Sequence, residues 1–221
     1  ADHEQGHRRQ DKQQEAVQET ITLLKGLGIK FTSKPRTYHV LVQLFKTRTL
    51  LARMKREDLA SLPEMKDPRV LTAMRNMAGI ISVLYRTDPS LFSLVVFKLI
   101  RLTLKHGVAP ISPVSFITFG LLTNAIFGNI PKAYDLGKIG MQLFNRIDGR
   151  KHWAQACYIY KVGGAIWKES LHKCNDNLLE AYRAARDTGD FEYMMSAAAA
   201  RAHYLFRAGQ ELNDLVKSTV E

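Results

Sequence analysis

The residue types most able to do chemistry in this chain are two histidines and two cysteines in its C-terminal half. His152 and Cys157 are five residues apart, and His172 and Cys174 are two apart. On a helix, side chains at these separations point in different directions, so neither pair has the spacing of ligands that share a metal ion. No third residue is placed to orient a nucleophilic cysteine through a histidine. We therefore interpret the cysteines as core residues and the histidines as surface residues, and predict no catalytic and no metal site.

Nucleotide chemistry also lacks its usual sequence signals. Gly137-Lys138 is not preceded by the glycine that the phosphate-binding pattern G-x-x-x-x-G-K-[ST] requires. Gly163-Gly164 falls within a helical pattern and not between a strand and a helix. We interpret this glycine pair as a packing position or a kink. The sequence predicts no cofactor and no enzymatic activity for this segment.

Positive charge is the feature that could bind a partner, since the formal net charge is +11. Eight Lys and Arg and no Asp or Glu lie between Lys30 and Arg56. Residues 176–221 carry five basic against eight acidic residues, a net charge of −3. Lys98, Arg101 and Lys105 follow helical spacing beside apolar residues. The candidate partner-binding residues are Lys46, Arg48, Arg53, Lys98, Arg101 and Lys105.

These cations leave three interpretations open: a solvated face, contact with an acidic protein or lipid surface, or contact with nucleic acid. Binding to nucleic acid through charge alone is nonspecific and salt-sensitive, and no base-reading motif accompanies the cluster. We place a protein partner first and keep nucleic-acid or anionic-surface binding through residues 30–56 as the alternative.

The cell compartment is predicted from three further features. The apolar runs are shorter than the roughly 20 residues of a transmembrane helix. The polar N-terminus has no secretory signal, and two cysteines fit a reducing compartment. We expect no transmembrane segment and a cytoplasmic location.

The elements that position these residues are predicted to be helices. Apolar residues recur at helical spacing, and no stretch alternates in the manner of strands joined by hairpin turns. Asp67-Pro68, Asp88-Pro89 and Ser112-Pro113 each place a capping side chain before a proline, which predicts three helix starts. Glycines separate the later helices, which are predicted near residues 151–168, 171–188, 190–208 and 210–220.

The stretch from Ser112 to Ile147 predicts two antiparallel helices joined at Gly128-Asn129. The first is apolar on nearly every side, which predicts that it is buried on most sides, and the second is amphipathic. Glycine within a helix costs about 1 kcal/mol relative to alanine. Gly120, Gly137 and Gly140 therefore predict that backbones approach closely in this hairpin.

About ten helices of even length with short turns predict an all-α fold. We expect a right-handed α-solenoid of stacked helical hairpins, with an ordinary single-core bundle as the alternative. Residues 1–10 lack apolar periodicity and predict a disordered tail, followed by a single helical-repeat domain over residues 11–221. Because the first residue is not Met, we expect this chain to be a fragment of a larger protein.

Several short motifs occur in an order that resembles a known protein family. They are the turn LPEMKDP at 62–68, the segment around Tyr85 and Pro89, the join from His106 to Pro113, Gly128-Asn129, Trp167-Lys168 and the sequence GDFEY at 189–193. Over roughly residues 20–215, the chain resembles the degenerate tetratricopeptide-like region of large bacterial signalling proteins. Those proteins combine a serine/threonine-kinase-like domain, a signal-transduction ATPase, a GAF domain and often a histidine kinase.

The resemblance implies a non-catalytic interaction or sensing scaffold that couples binding to neighbouring ATPase or kinase domains. Those domains have no counterpart in this sequence, so none of their catalytic residues is carried over. The family implies a protein partner but does not identify the ligand.

Overall fold

A computed structural model describes residues 2–32, 35–147, 149–211 and 213, with the backbone alone for residues 2–13. Its regular secondary structure is helical, apart from one isolated parallel bridge between Glu64 and Val108. The predicted all-α class is confirmed for this part of the chain. The ten α-helices described are α1 (Asp2–Gly26), α2 (Thr37–Ala52), α3 (Arg56–Ala60), α4 (Pro68–Thr87), α5 (Pro89–His106), α6 (Ser112–Phe127), α7 (Ile130–Phe144), α8 (Arg150–Gly163), α9 (Leu171–Thr188) and α10 (Phe191–Arg207).

The chain divides into two compact units, Ala1–Ile111 and Ser112–Glu221. In the first unit, α4 packs on α1 and α5, and α5 also packs on α2. In the second unit, α8 is central and contacts α6, α7, α9 and α10. The stacking of all helices in one array over residues 11–221 stays a prediction.

The first helix extends into the segment for which the sequence predicts a disordered tail. The backbone of residues 2–10 is helical, as part of α1. Glu, Gln, Lys and Arg are frequent in the first half of α1. These residue types favour helix, so the backbone can be helical there without an apolar face.

Capping side chains set where α4 and α5 begin. The Asp67 carboxylate accepts a hydrogen bond from the Arg69 backbone N–H at 2.9 Å, and the Asp88 carboxylate accepts one from Leu91 at 2.9 Å. A proline follows each cap, as predicted. The third predicted start is also confirmed in position, since α6 begins at Ser112.

The helices α9 and α10 both end at a glycine in the left-handed conformation. Gly189 and Gly209 adopt left-handed φ values of 72° and 80°. The next backbone N–H groups, of Asp190 and Gln210, donate to carbonyls five residues earlier at 2.8 and 3.1 Å. These are Schellman motifs, which explains why glycine marks both helix ends. The helix predicted over residues 210–220 lies almost entirely outside the described residues.

The helix predicted over residues 151–168 is interrupted. α8 ends at Gly163, and a short 3-10 helix follows at Ala165–Trp167. A Cβ on Gly163 would lie 2.7 Å from the Leu121 side chain of α6. The interpretation of the Gly163-Gly164 pair as a packing position is therefore confirmed, and the longer helix was wrong because the chain turns there.

The closest backbone approach in the second unit joins α6 and α7. A Cβ on Gly120 would lie 2.9 Å from the Ala133 carbonyl oxygen, and one on Gly140 would lie 2.7 Å from the Pro113 carbonyl oxygen. The end of α6 thus meets the start of α7, and the reverse, so the two helices are antiparallel as predicted. Gly137 faces an aromatic ring of α8. The predicted close backbone approach is confirmed at Gly120 and Gly140, whereas Gly137 makes room for a side chain and not for a backbone.

Burial along α6 is less complete than its composition predicts. Every residue from Ser112 to Gly120 is buried, but Ile126 and Phe127 at the other end are exposed. The predicted burial on most sides is confirmed for residues 112–120 and does not extend to the last turn of α6.

We expect Gly140→Ala to lower the free energy of unfolding by about 1–3 kcal/mol, because its methyl group would overlap backbone and Ile117 atoms. The matched control is Gly79→Ala in α4, where no atom lies within 4 Å of the added Cβ. Helix propensity should make that change stabilising by about 0.5–1 kcal/mol. Urea unfolding measures both, and equal effects of the two substitutions would contradict the close approach.

Candidate interaction surfaces

Helix α2 contacts the rest of the first unit through a narrow side. Its buried residues, Leu44, Thr47 and Leu51, share one face at helical spacing. Next to them, Gln43 accepts a hydrogen bond from the Arg101 guanidinium of α5. Much of the remaining surface of α2 is exposed.

Four large apolar side chains form an exposed ridge on α2. Tyr38, Leu41, Val42 and Phe45 follow the i, i+3, i+4, i+7 pattern, so they project from one side of the helix. Tyr38 is 56% exposed and Phe45 is 53% exposed. Contiguous exposed apolar side chains commonly mark an interaction site. We call these four residues the α2 ridge.

Cations border the α2 ridge on both sides. Arg48 lies seven residues after Leu41 and therefore on the Leu41 side of the ridge. Lys46 lies four residues after Val42 and therefore on the opposite side. Arg53 follows Lys46 by seven residues, and all three cations are exposed. The structure thus places three of the predicted partner-binding residues around one apolar surface.

The other three predicted residues lie on α5, which packs against α2. Lys105 is exposed, whereas Lys98 and Arg101 are half-buried. Burial lowers the pKa of Lys98, and the positive charges of Arg101 and Lys105 lower it further. Burial also lowers the pKa of Arg101, whose Nε is buried without a hydrogen-bond partner among the described residues. The positive charges of Lys98, Arg101 and Lys105 would therefore attract an anionic group to this part of α5.

Helix α10 carries a second exposed apolar surface, which the sequence analysis did not single out as a site. Phe191 is 72% exposed and Phe206 is 60% exposed, and Met195 between them is also exposed. With the small residues of the same side, they form an uncharged stripe suited to close contact with another helix. The α10 stripe consists of Phe191, Met195, Ala198, Ala199, Ala202 and Phe206.

A buried ion pair ties the second unit together. Lys161 Nζ of α8 lies 2.8 Å from Glu169 Oε2, and their side chains are only 7% and 9% exposed. Tyr134 of α7 donates a hydrogen bond to Glu169 Oε1 at 3.1 Å, and Lys173 of α9 lies 3.7 Å from Oε2. One carboxylate therefore joins three helices.

The geometry of this ion pair indicates a structural role. Burial alone would raise the pKa of Glu169, but hydrogen bonding and charge from Lys161 outweigh it, and the pKa lies below its ordinary value. Both carboxylate oxygens already have protein partners, which leaves little capacity to act on a substrate. This pair was not predicted from the sequence. The available signal for a buried Lys161 was its helical spacing from Ala154 and Cys157, which are also buried.

The residues first considered for chemistry do not form a reactive site. Cys157 and Cys174 are buried free thiols, as predicted; burial raises the pKa of Cys157 to about 12 and also raises that of Cys174. His172 is exposed as predicted, but His152 is half-buried, so its assignment to the surface was wrong. Burial by the packed second unit lowers the pKa of His152.

Three wider searches give no further site or relative. Among residues 2–32, 35–147, 149–211 and 213, no group of three or more His, Cys, Asp or Glu side chains could hold a metal ion. In the same part of the chain, no helix combines the length and apolar character needed to cross a bilayer. Comparison with protein families, with curated proteins and with solved structures finds no match. The α2 ridge with its cations and the α10 stripe are the surfaces best suited to binding.

We expect Glu169→Gln to lower the free energy of unfolding of the second unit by about 3–5 kcal/mol, because it leaves the buried Lys161 charge uncompensated. The double substitution Lys161→Met/Glu169→Leu removes both charges and should be at least about 2 kcal/mol more stable than Glu169→Gln alone. Urea unfolding followed by tryptophan fluorescence measures this, since both tryptophans lie in the second unit.

The pH dependence of the same variants provides a further check. Because the folded-state pKa of Glu169 lies below its ordinary 4.5, its stabilisation is present above that pH and is lost as the pH falls through the folded-state value. The stability difference between wild type and Glu169→Gln should therefore shrink in acid. A difference that does not change with pH would contradict the ion pair.

We expect Lys98→Met to raise the stability of the first unit at pH 7 by about 0.5 kcal/mol, because it removes repulsion from cations on the same helix and keeps an apolar stem. The folded-state pKa is lowered from 10.5, so the penalty is present at neutral pH and fades as the pH rises through the folded-state value. Thermal unfolding by circular dichroism measures this, with exposed Lys66→Met as the control. A destabilising Lys98→Met would contradict the account of this cluster.

Proposed function

We propose that this chain is a non-catalytic interaction scaffold within a larger cytoplasmic signalling protein that carries ATPase or kinase domains. In this proposal its helical hairpins stack as a right-handed α-solenoid of the degenerate tetratricopeptide-like kind. Binding of a protein partner to the scaffold would bias the activity of the neighbouring domains. The motif order described above supports the family, and the antiparallel α6–α7 pair supports the hairpin unit.

The observation that carries this proposal is the α10 stripe. Arrays of helical hairpins bury a continuous core by stacking neighbours, and their end faces or concave faces serve as binding surfaces. The α10 stripe offers an uncharged helix face with aromatic ends and small residues between, which fits a partner helix laid along it. The buried ion pair and the glycine contacts stabilise the packing of the other helices in the second unit, which carries that face.

The cations provide a second attachment surface in the same proposal. Lys46, Arg48, Arg53 and Lys105 are exposed and would contact an acidic partner protein. Electrostatic contacts of this type raise the association rate and select the partner more than they add affinity.

Nucleic-acid or anionic-surface binding through residues 30–56 is the second candidate function. It is favoured by the seven Lys and Arg that are exposed in this segment, with Lys34 outside the described residues. Charge of this density attracts any polyanion. The apolar α2 ridge between the cations favours some classes of polyanion over others.

Photo-crosslinking in the full-length gene product tests the scaffold proposal. A photoreactive residue at Met195 should crosslink to a defined partner or neighbouring domain, because this position lies at the centre of the exposed stripe. The same group at Asp187, an exposed polar position on α9, serves as the control and should give little product. Phe191→Ser/Met195→Ser should reduce the crosslink from a third position, Phe206, and change the activity of adjoining ATPase or kinase domains.

Two results would count against the proposal. One is a crosslinking pattern at Met195 no different from that at Asp187. The other is unchanged activity of the adjoining domains after deletion of the whole scaffold. Circular dichroism of the Phe191→Ser/Met195→Ser variant distinguishes loss of the surface from loss of the fold.

A further inference from the structure

The α2 ridge and its flanking cations have the arrangement of a helix that lies in a membrane interface. Tyr38, Leu41, Val42 and Phe45 project together, and cations border them on both sides. We propose that α2 docks the chain onto an anionic lipid bilayer surface. The apolar ridge would enter the headgroup region, and the cations would contact lipid phosphates and carboxylates. This inference rests on the second candidate function above and names its ligand. It assigns Lys46, Arg48 and Arg53 to lipid in place of an acidic partner protein.

The shape of the site favours a bilayer surface over a protein groove. The α2 helix is packed through a narrow buried side, so its exposed side is convex and its apolar residues form the outermost part. Arg48 lies along one border and Lys46 along the other, and long basic side chains reach headgroup level when the residues between them insert. Tyrosine and phenylalanine suit this region because aromatic rings partition well at the membrane interface.

The charge of the segment is complementary to anionic lipid. No Asp or Glu occurs between Lys30 and Arg56, and seven of the eight basic residues there are exposed in the described structure. Each Lys or Arg near an anionic membrane strengthens binding by about fivefold. Clusters of four to eight such residues mark binding to anionic lipids; here Lys46 and Arg48 lie within α2 and the other exposed cations lie at its ends or in the flanking segments.

Nucleic acid and an acidic protein helix match the same surface less well. Phosphate contacts would use the cations but leave the four apolar side chains of the α2 ridge between them without a role. A partner helix would have to supply a groove that accepts a convex ridge and also carry acids on both sides of that groove. A fluid bilayer supplies apolar depth and negative charge together, without a preformed shape.

Vesicle co-sedimentation of the full chain tests this proposal. We expect binding to vesicles of phosphatidylcholine and phosphatidylserine in a three-to-one ratio, and little binding to phosphatidylcholine alone. Lys46→Glu/Arg53→Glu should lower the partition coefficient at least tenfold, since two attractive charges become repulsive. Val42→Ser/Phe45→Ser should also lower it several-fold, with most of the remaining binding lost at high salt.

Matched controls separate the surface from total charge and total hydrophobicity. Arg69→Glu/Arg75→Glu on α4 makes the same change in net charge at two exposed positions outside α2 and should keep most of the binding. Leu23→Ser on α1 removes an exposed apolar residue elsewhere and should have little effect. Circular dichroism and thermal unfolding of each variant establish that it remains folded.

A fluorescent label gives a second readout that does not depend on sedimentation. A polarity-sensitive thiol label at Val42→Cys should react selectively, because both native cysteines are buried. Its emission should shift to the blue on anionic vesicles, whereas a label at Asp187→Cys should not shift.

Three outcomes would overturn the proposal. They are no binding to anionic vesicles, equal loss of binding in the α2 and α4 charge variants, and no spectral shift at residue 42 when the chain sediments. Binding to duplex DNA or to an acidic helical peptide that depends on Lys46 and Arg53, in the absence of vesicle binding, would assign the surface to that class of partner instead.

Discussion

The close approach of the α6 and α7 backbones is the constraint on which the second unit depends. Gly120 and Gly140 allow each helix to contact the main chain of the other, and any side chain there would push the pair apart. Gly137 then admits an aromatic ring of α8 against the same pair. Because interiors are close-packed, the contact at Gly137 helps to position α8 against the α6–α7 pair. The contacts that α8 makes with α9 and α10 follow from that position.

The polar groups buried by this packing hold helices together, while apolar and charged side chains remain exposed on the surface. The carboxylate of Glu169 is held by α7, α8 and α9, so it fastens helices where a catalytic acid would need access to a substrate. The thiols of Cys157 and Cys174 are buried with raised pKa values, which favours the unreactive protonated form. Among the exposed apolar side chains, those on α2 and α10 form continuous helix faces, and those on α2 are combined with cations. On α5, burial and then repulsion from Arg101 and Lys105 disfavour the charged form of Lys98 and lower its pKa.

The features that local chemistry determines were predictable from the sequence. The caps at Asp67 and Asp88 involve backbone groups two or three residues away, and the Gly189 helix end involves groups within five residues, so neighbouring residues specify them. The six candidate cations were identified by type and spacing, but their burial depends on how α2 packs against α5. The Lys161–Glu169 pair and the end of α8 were not predictable in the same way, because each depends on contacts with helices distant in sequence. Burial on most sides was predictable for the first nine residues of α6, but the exposure of its last turn was not, because it depends on tertiary packing.

Hydrogen–deuterium exchange of the full chain, with and without vesicles containing phosphatidylserine, tests the central claim most directly. That claim is a second unit fixed by close backbone packing of α6 and α7, together with the proposed lipid-binding surface on α2 of the first unit. The account predicts slowest exchange in α6, α7 and α8, unchanged by vesicles, and added protection on vesicles concentrated in α2. Rapid exchange throughout α6 and α7, or vesicle-induced protection centred outside α2, would contradict it.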